Sequence, residues 1–133
     1  MQDAIILTDS QKQILEKHAK KQSPNESCAI LVGNIEDGKA VVKDVFLTDN
    51  IEKSQINFTI SPEQTLQGYT RAQDRNMEIV GIFHSHPSSE AQPSTTDQKY
   101  MELNPHVWVI YSGKNNGFKA FVCEKKITEI PII

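Results

Sequence analysis

The stretch GIFHSHPSSEAQPSTTDQKYM, residues 81–101, joins the end of an apolar strand to a loop and a helix start. Side chains two apart in a strand point to the same face, so the imidazoles of His84 and His86 are expected in one pocket. After the loop, Ser94 is expected to cap a helix. Asp97 then falls in the first turn of that helix, where its carboxylate can lean back toward the strand end.

Two neutral imidazoles and one carboxylate are a ligand set for a divalent metal ion. Three protein ligands leave a fourth tetrahedral position open, and this open position distinguishes a catalytic zinc site from a structural one. From the residues alone, two simpler interpretations stay open. Ser94 and Asp97 can form a helix cap and nothing more. The two histidines can be solvated side chains at a strand end.

A catalytic zinc site also needs a group that moves protons, and Glu26 is the candidate. It lies in PNESCAIL at the head of an apolar strand, where partial burial can raise its pKa. A surface glutamate at a strand entrance is the alternative. Cys28 is interpreted as a small buried hydrophobe rather than a nucleophile. His18 and His106 lack partners at metal-ligand spacing and are interpreted as surface histidines.

The residues before this strand predict a helix followed by a hairpin. Asp9 or Ser10 is expected to cap the helix, which ends before Pro24. The apolar run SCAILVGNI predicts a buried strand, Asp37-Gly38 predicts a hairpin turn, and KAVVKDVFL predicts the antiparallel return strand.

The middle of the chain is predicted as a loop at 49–55 and a short strand, INFTI, at 56–60. Ser61 then caps a second helix that runs to about Asp74, with Gln64 completing a capping box. After the third helix, the segments VWVIYS, FKAFVCE and KITEIPII predict a strand-rich end, with the aromatic residues in the core. This order predicts an α+β fold, with a twisted mixed sheet packed by helices.

Length and charge narrow the class of protein further. A chain of 133 residues fits one domain, expected over residues 1–133, and is short for two. The formal net charge is −3 and the basic residues are scattered, so nucleic acid is not an expected partner. The sequence shows no signal-peptide pattern and no run long enough to span a membrane. We therefore expect a cytoplasmic protein in which Cys28 and Cys123 stay reduced.

Together, ESCAILVG and the later H-S-H-P and S-x-x-D residues resemble the JAMM motif, a glutamate followed after a long gap by His-x-His-x7-Ser-x-x-Asp. This motif belongs to the JAMM (MPN-domain) zinc metalloproteases, and the resemblance spans nearly the whole chain. It implies an MPN-like (cytidine-deaminase-like) domain in which His84, His86 and Asp97 bind zinc. It also implies that Glu26 is the general base and acid, and that Ser94 helps to stabilise the tetrahedral oxyanion.

Members of this family cleave isopeptide or peptide bonds after the C-terminal tail of ubiquitin or ubiquitin-like modifiers. The resemblance therefore implies a metallo-isopeptidase whose substrate is a modifier ending in Gly-Gly. The chain lacks the long insertion of many eukaryotic members and is similar to compact prokaryotic, desampylase-like ones. In the family, the region equivalent to residues 50–60 forms one wall of the substrate groove, so we expect it to pair with an extended tail.

Two alternatives remain at this point. One is a hydrolase that processes sulfur-carrier conjugates or small peptides, and the other is a non-catalytic module that binds a ubiquitin-like protein. Oligomeric state and the identity of the modifier are not predicted by the sequence.

Overall fold

The computed structural model describes residues 2–133. This part of the chain contains seven strands and three helices, joined by turns and loops. The predicted α+β class is confirmed. In chain order the elements are β1 (Ala4–Ile6), α1 (Asp9–Gln22), β2 (Cys28–Glu36), β3 (Lys39–Thr48), α2 (Pro62–Gln73), β4 (Glu78–His86), α3 (Thr95–Leu103), β5 (Val107–Ser112), β6 (Phe118–Cys123) and β7 (Ile127–Ile130).

One mixed sheet holds all the strands in the order β1-β3-β2-β4-β5-β6-β7. β4 lies in the middle, antiparallel to β2 and parallel to β5. Alternate residues of β2 enter different buried layers, as expected for a strand covered on both faces. Ala29 and Leu31 pack with Leu15 of α1, whereas Cys28 and Ile30 face the side of α3 and α2. The strand that carries the two histidines is therefore rigidly held at the centre of the fold.

The hairpin and two of the three helix starts match the sequence predictions. Asp37 and Gly38 have φ of 51° and 75°, which is the conformation that a two-residue turn of type I′ requires. Ser61 and Ser94 are the N-caps of α2 and α3. Within residues 2–133, no helix has the length and apolar character needed to cross a membrane.

The cap of α1 differs from the prediction, because Thr8 takes the place expected for Asp9 or Ser10. The Thr8 hydroxyl accepts the N–H of Gln11 at 3.1 Å, and the Gln11 side chain accepts the N–H of Thr8 at 2.9 Å. This reciprocal capping box satisfies two helix-start donors at once. Ser10 with Gln13 has the same spacing in the sequence, so the pattern by itself fits a helix start at either residue.

The predicted strand at 56–60 is wrong, since these residues pair with no neighbouring strand. The N–H of Thr59 instead donates to a side chain of the preceding loop at 3.1 Å. Gln64 also differs from its predicted capping-box role. Ser61 caps α2 as expected, but the Gln64 side chain accepts the N–H of Asp49 at 2.8 Å and so ties the loop to the helix.

β1 has no sequence signal of its own, because three apolar residues are too few to show a strand pattern. β1 pairs in parallel with β3 on one side and with the C-terminal residues on the other. Ile5 donates its N–H to the carbonyl of Pro131 at 3.1 Å, and Ile133 donates to the carbonyl of Ile5 at 2.8 Å. The residues after β7, at one edge of the sheet, therefore pair with β1 at the other edge.

Candidate active site

The register between β2 and β4 places the candidate site residues on one face of the sheet. Cys28 is the direct cross-strand partner of His84. The pairing continues one residue beyond, where Ser85 donates its N–H to the carbonyl of Ser27 at 3.1 Å. Because residues two apart in a strand share a face, Glu26 lies opposite His86 and on the same side of the sheet.

Three side-chain atoms converge at this end of β4. Nε2 of His84 and Nε2 of His86 are 3.1 Å apart, and they lie 3.0 Å and 3.1 Å from Oδ2 of Asp97. All three side chains are buried, with His84 fully buried and Asp97 4% exposed. The structure therefore brings together the two histidines and the aspartate that the sequence singles out.

The donor set fits a divalent metal ion. His86 donates its Nδ1 hydrogen to the carbonyl of Glu90 at 2.8 Å, so Nε2 of a neutral His86 carries a lone pair directed at its neighbours. Tetrahedral bonds of about 2.1 Å place ligand atoms about 3.4 Å apart, close to the separations seen here. A cation among the three atoms satisfies lone pairs that would otherwise repel one another.

Aromatic contacts hold the ring of His84 in place. Phe58 stacks on it with centroids 4.7 Å apart and an angle of 21°, and Trp108 approaches edge-on at 6.1 Å. Nδ1 of His84 is buried and has no hydrogen-bond partner within residues 2–133. Phe58 falls in the segment 56–60 predicted as a strand, and its contact with His84 arises from tertiary packing, for which the sequence carries no local signal.

Burial and charge set the protonation of these ligands. Burial lowers the pKa of His84, which favours the neutral imidazole that a metal ion requires. Burial alone would raise the pKa of Asp97, but hydrogen bonds from His84 and His86 outweigh it and hold that pKa well below its usual value. The set therefore presents a carboxylate and at least one neutral imidazole.

Glu26 is buried, with 3% of its surface exposed, so the alternative of a surface glutamate is wrong. Burial raises the pKa of Glu26 to about 8, partly opposed by nearby His86 and reinforced by Asp97 and Glu52. Its Oε1 has no hydrogen-bond partner within residues 2–133. A buried carboxyl group with a pKa near neutrality is suited to accepting and returning a proton.

Ser94 and Asp97 form a complete helix cap as well. The Ser94 hydroxyl accepts the Asp97 N–H at 3.0 Å, and Asp97 Oδ2 accepts the Ser94 N–H at 2.9 Å. The cap interpretation is therefore correct, and it coexists with the convergence on the histidines. Because the Ser94 oxygen acts only as an acceptor within residues 2–133, its own O–H remains available as a donor.

The remaining candidates have other roles. Burial raises the pKa of the Cys28 thiol to about 11, which agrees with the interpretation of Cys28 as a buried hydrophobe rather than a nucleophile. His18 is half-buried rather than a simple surface residue, because its Nε2 lies 3.1 Å from the carbonyl oxygens of both Cys28 and Thr48. His106 is also half-buried and lies apart from the three converging side chains, in the lining of an apolar cleft.

That cleft adjoins the site and has a volume of about 260 Å³. Its lining includes Phe58 and Trp108, the two aromatic residues that contact His84, together with Ile82 of β4. Tyr100 of α3 and Tyr69 of α2 stand at its open side, where they are about half exposed. An apolar cleft beside a polar site is the usual form of a pocket that receives a ligand.

Comparisons with known proteins agree with this geometry. The family model described as prokaryotic homologs of the JAB domain matches residues 9–124. A desampylase of Pyrococcus furiosus is 33% identical over 110 residues, which cover 81% of this chain and 75% of that protein. A CysO-cysteine peptidase of Mycobacterium tuberculosis is 32% identical over 119 residues, which cover 86% of this chain and 80% of that protein. The solution structure of a protein from Desulfitobacterium hafniense superposes with a TM-score of 0.88 at 28% identity, covering 97% of this chain and 91% of that one.

Proposed function

Because this chain belongs to the family of prokaryotic JAB-domain proteins, we propose that it is a zinc-dependent isopeptidase or peptidase. In this proposal it cleaves after the C-terminal Gly-Gly tail of ubiquitin or a ubiquitin-like modifier. The observation that carries the proposal is the convergence of His84, His86 and Asp97 beside the buried Glu26. Similarity to proteins named desampylase and CysO-cysteine peptidase supports the hydrolytic reaction and the class of substrate.

In this proposal His84, His86 and Asp97 hold the zinc ion through Nε2, Nε2 and a carboxylate oxygen. Zinc supplies Lewis-acid polarisation of a carbonyl and lowers the pKa of water when it is bound in such a site. His86 is kept in the correct tautomer by its Nδ1 hydrogen bond to Glu90, and the ring of His84 is oriented by Phe58 and Trp108.

Glu26 and Ser94 are the two remaining groups of the mechanism. Hydrolysis adds water across the scissile amide, so one proton must leave the water and one must reach the departing amine. Glu26 takes the first proton and returns it to the amine, a role that its buried carboxyl and a pKa of about 8 support. The free O–H of Ser94 donates to the oxygen of the scissile carbonyl as negative charge develops there.

The segment 50–60 and the adjoining cleft supply the site for the substrate tail. Phe58 and Ile60 line the cleft with their side chains. No hydrogen bond within residues 2–133 involves the backbone N–H or C=O of either residue. An extended tail can therefore pair with this segment although the segment is not a strand of the sheet, and two terminal glycines allow close approach to the metal.

The test is cleavage of a ubiquitin-like protein fused through its C-terminal Gly-Gly to a reporter protein. The purified chain loaded with zinc is expected to release the reporter, to stop on addition of a chelator and to recover when zinc is returned. The variant Glu124→Gln, at an exposed position outside both the proposed ligand set and the cleft, serves as the control and is expected to cut normally. Absence of cleavage of every Gly-Gly fusion by the zinc-loaded protein would contradict the proposed function.

A second candidate is release of a single amino acid from a sulfur-carrier conjugate, which is favoured by the 32% identity to a CysO-cysteine peptidase. The same site and the same reaction serve both substrates, and the difference lies in the leaving group. Comparing rates for one carrier that bears either a C-terminal cysteine or a fused protein decides between them. The non-catalytic alternative requires neither a buried Glu26 nor a free Ser94 hydroxyl.

A further inference from the structure

Asn50, which follows β3, uses its whole side-chain hydrogen-bonding capacity. Its Nδ2 donates to the carbonyl of Glu26 at 3.0 Å and to the carbonyl of Asn57 at 2.9 Å. Its Oδ1 accepts the N–H of Glu52 at 3.1 Å and the N–H of Thr59 at 3.1 Å. A carboxamide is the only side chain of this size that can donate twice and accept twice. The half-buried Asn50 thus connects the two ends of the segment 50–59 with each other and with Glu26.

The main chain of Glu26 is held by this segment from both sides. Its N–H donates to the carbonyl of Ser54 at 2.8 Å, and its carbonyl accepts from Asn50 at 3.0 Å. The carboxylate itself makes no hydrogen bond within residues 2–133, although the residue is only 3% exposed. The position of this carboxylate therefore depends on its backbone, and the backbone depends on the segment 50–54.

We infer that Asn50 is a positioning residue for Glu26, an inference that rests on the proposed function of the site. Its bonds to Asn57 and Thr59 shape the groove wall, and its bond to Glu26 ties that wall to the proton-transferring residue. An error of about 1 Å in such a group is enough to cost on the order of 10² in rate. Loss of the Asn50 amide is expected to displace the Glu26 carboxylate while leaving the metal ligands in place.

Hydrogen exchange of the Glu26 amide in the metal-free protein tests the structural half of the inference. Asn50→Ala is expected to raise the exchange rate of this amide about tenfold or more, because the Ser54 carbonyl is then no longer held against it. Ser54→Ala is the matched control. It removes two hydrogen bonds of the same segment, to the N–H groups of Ile56 and Asn57, but keeps the backbone bond to Glu26. Unchanged exchange in Asn50→Ala would overturn the inference.

A double-mutant cycle on kcat tests the functional half. Asn50→Ala is expected to lower kcat about ten- to a hundredfold with the zinc content unchanged, and to lower it less than about threefold when Glu26 is already Gln. Ser54→Ala is expected to lower kcat only slightly. An equal fold-loss of kcat from Asn50→Ala with Glu26 present and with Gln in its place would show that Asn50 acts only on the groove wall, residues 50–60. That result would overturn the inference.

A second variant covers the case in which Asn50→Ala fails to fold. Asn50→Asp keeps the acceptor bonds to Glu52 and Thr59 but removes the donors to Glu26 and Asn57. Asn57→Asp controls for the added charge, because the Asn57 side chain makes no hydrogen bond within residues 2–133. Asn50→Asp is expected to behave like Asn50→Ala in the cycle, and kcat within threefold of Asn57→Asp would overturn the inference.

The exchange experiment needs no substrate, so the positioning role of Asn50 and the proposed function can be tested independently. If the parent protein cuts no Gly-Gly fusion, the proposed function fails, while fast exchange at Glu26 in Asn50→Ala still supports the positioning of this residue. If the parent cuts and Asn50→Ala cuts equally well, the positioning inference fails and the proposed function stands.

Discussion

His86 donates its Nδ1 hydrogen to the carbonyl oxygen of Glu90 across 2.8 Å, and this bond fixes which nitrogen faces the site. In a neutral His86, the Nε2 lone pair then points at Asp97 and at His84, each within 3.1 Å. Such an arrangement is stable when a cation shares the three ligands. The loop that carries Glu90 therefore orients His86 as the proposed metal site requires.

The first prediction is one tightly held zinc ion per chain. Elemental analysis of the parent is expected to give one equivalent, falling below about a tenth in His84→Ala and in Asp97→Asn. His106→Ala is the control and is expected to retain the metal. A chelator is expected to lower the melting temperature of the parent and of the control but not of the ligand variants, since only bound metal stabilises the folded state. Full zinc in both ligand variants would contradict the assignment.

The second prediction separates proton transfer from metal binding. Glu26→Gln is nearly isosteric and leaves all three ligands in place, so zinc content is expected to equal that of the parent. Turnover of a Gly-Gly fusion is expected to fall by about 10² to 10⁴, which is the usual contribution of a general acid–base group. Activity within about threefold of the parent would mean that another group moves the proton.

The third prediction concerns stability against pH in the metal-free protein. The pKa of Glu26 is raised from 4.5 to about 8 in the folded state, so the unfolded chain releases this proton first. The contribution of Glu26 to the free energy of unfolding is therefore fully present below about pH 4.5 and is lost as pH rises toward 8. Glu26→Gln has no such proton. Its free energy of unfolding relative to the parent is expected to rise by about 2 kcal/mol between pH 5.5 and 7.5.

Urea unfolding with excess chelator at several pH values measures this difference. The Glu124→Gln variant is the control, because Glu124 is exposed between β6 and β7 and is not among the charged groups that act on Glu26. A constant difference between Glu26→Gln and the parent across this range would show that burial does not hold the proton on Glu26.

The fourth prediction uses the two serine caps of similar geometry. Ser94 caps α3 at the site, and Ser61 caps α2 away from it. Both Ser→Ala variants are expected to lose roughly 1 kcal/mol of stability through the missing cap. Ser94→Ala alone is expected to lose a further catalytic factor on the order of 10², through the missing donor to the oxyanion. Equal activity of the two variants would leave Ser94 with the cap as its single role.

Much of the fold could be predicted because β2, β4 and the hairpin carry strong local signals. Long apolar runs and the Asp37-Gly38 turn determine those strands without help from distant residues. β1 could not be predicted, since Ile5 is held by the chain end at Pro131 and Ile133, a contact between residues far apart in sequence. The cap at Thr8 could not be predicted, because Ser10 with Gln13 has the same capping-box spacing as Thr8 with Gln11.

The convergence of His84, His86 and Asp97, the proposed metal ligands, could be predicted from spacing because strand alternation and a helix start fix their directions. The aromatic side chains around those ligands could not be predicted, since Phe58 reaches His84 only through tertiary packing. Asn50 illustrates the same limit. Its sequence context, TDN after a strand, indicates a loop with an Asx turn, and its bond to Glu26 depends on how that loop folds back over β2.

The last prediction concerns the direction of the substrate tail in the groove. In an extended segment the backbone groups of alternate residues face opposite sides. Those of Asn57 and Thr59 face Asn50 and its neighbours, where they are bonded. The backbone groups of Phe58 and Ile60 are therefore the ones available to a tail that adds as a short strand. Proline at Asn57 or Thr59, which removes an internally bonded N–H, is thus expected to disturb the wall itself and to weaken substrate use without removing zinc.

Pairing with Phe58 and Ile60 predicts that every second amide of the tail matters. In a set of substrates N-methylated at successive tail positions, loss of one paired N–H is expected to lower kcat/KM roughly tenfold, while methylation at the adjacent positions has little effect. Replacement of the terminal Gly-Gly by Ala-Ala is expected to cut turnover strongly, because a Cβ obstructs the approach of the backbone to the metal. Zinc content, measured in the same samples, serves as the control for site integrity. Equal sensitivity at all tail positions, together with Ala-Ala tails cut as fast as Gly-Gly tails, would show that the tail does not bind as an added strand and that recognition lies in the body of the modifier.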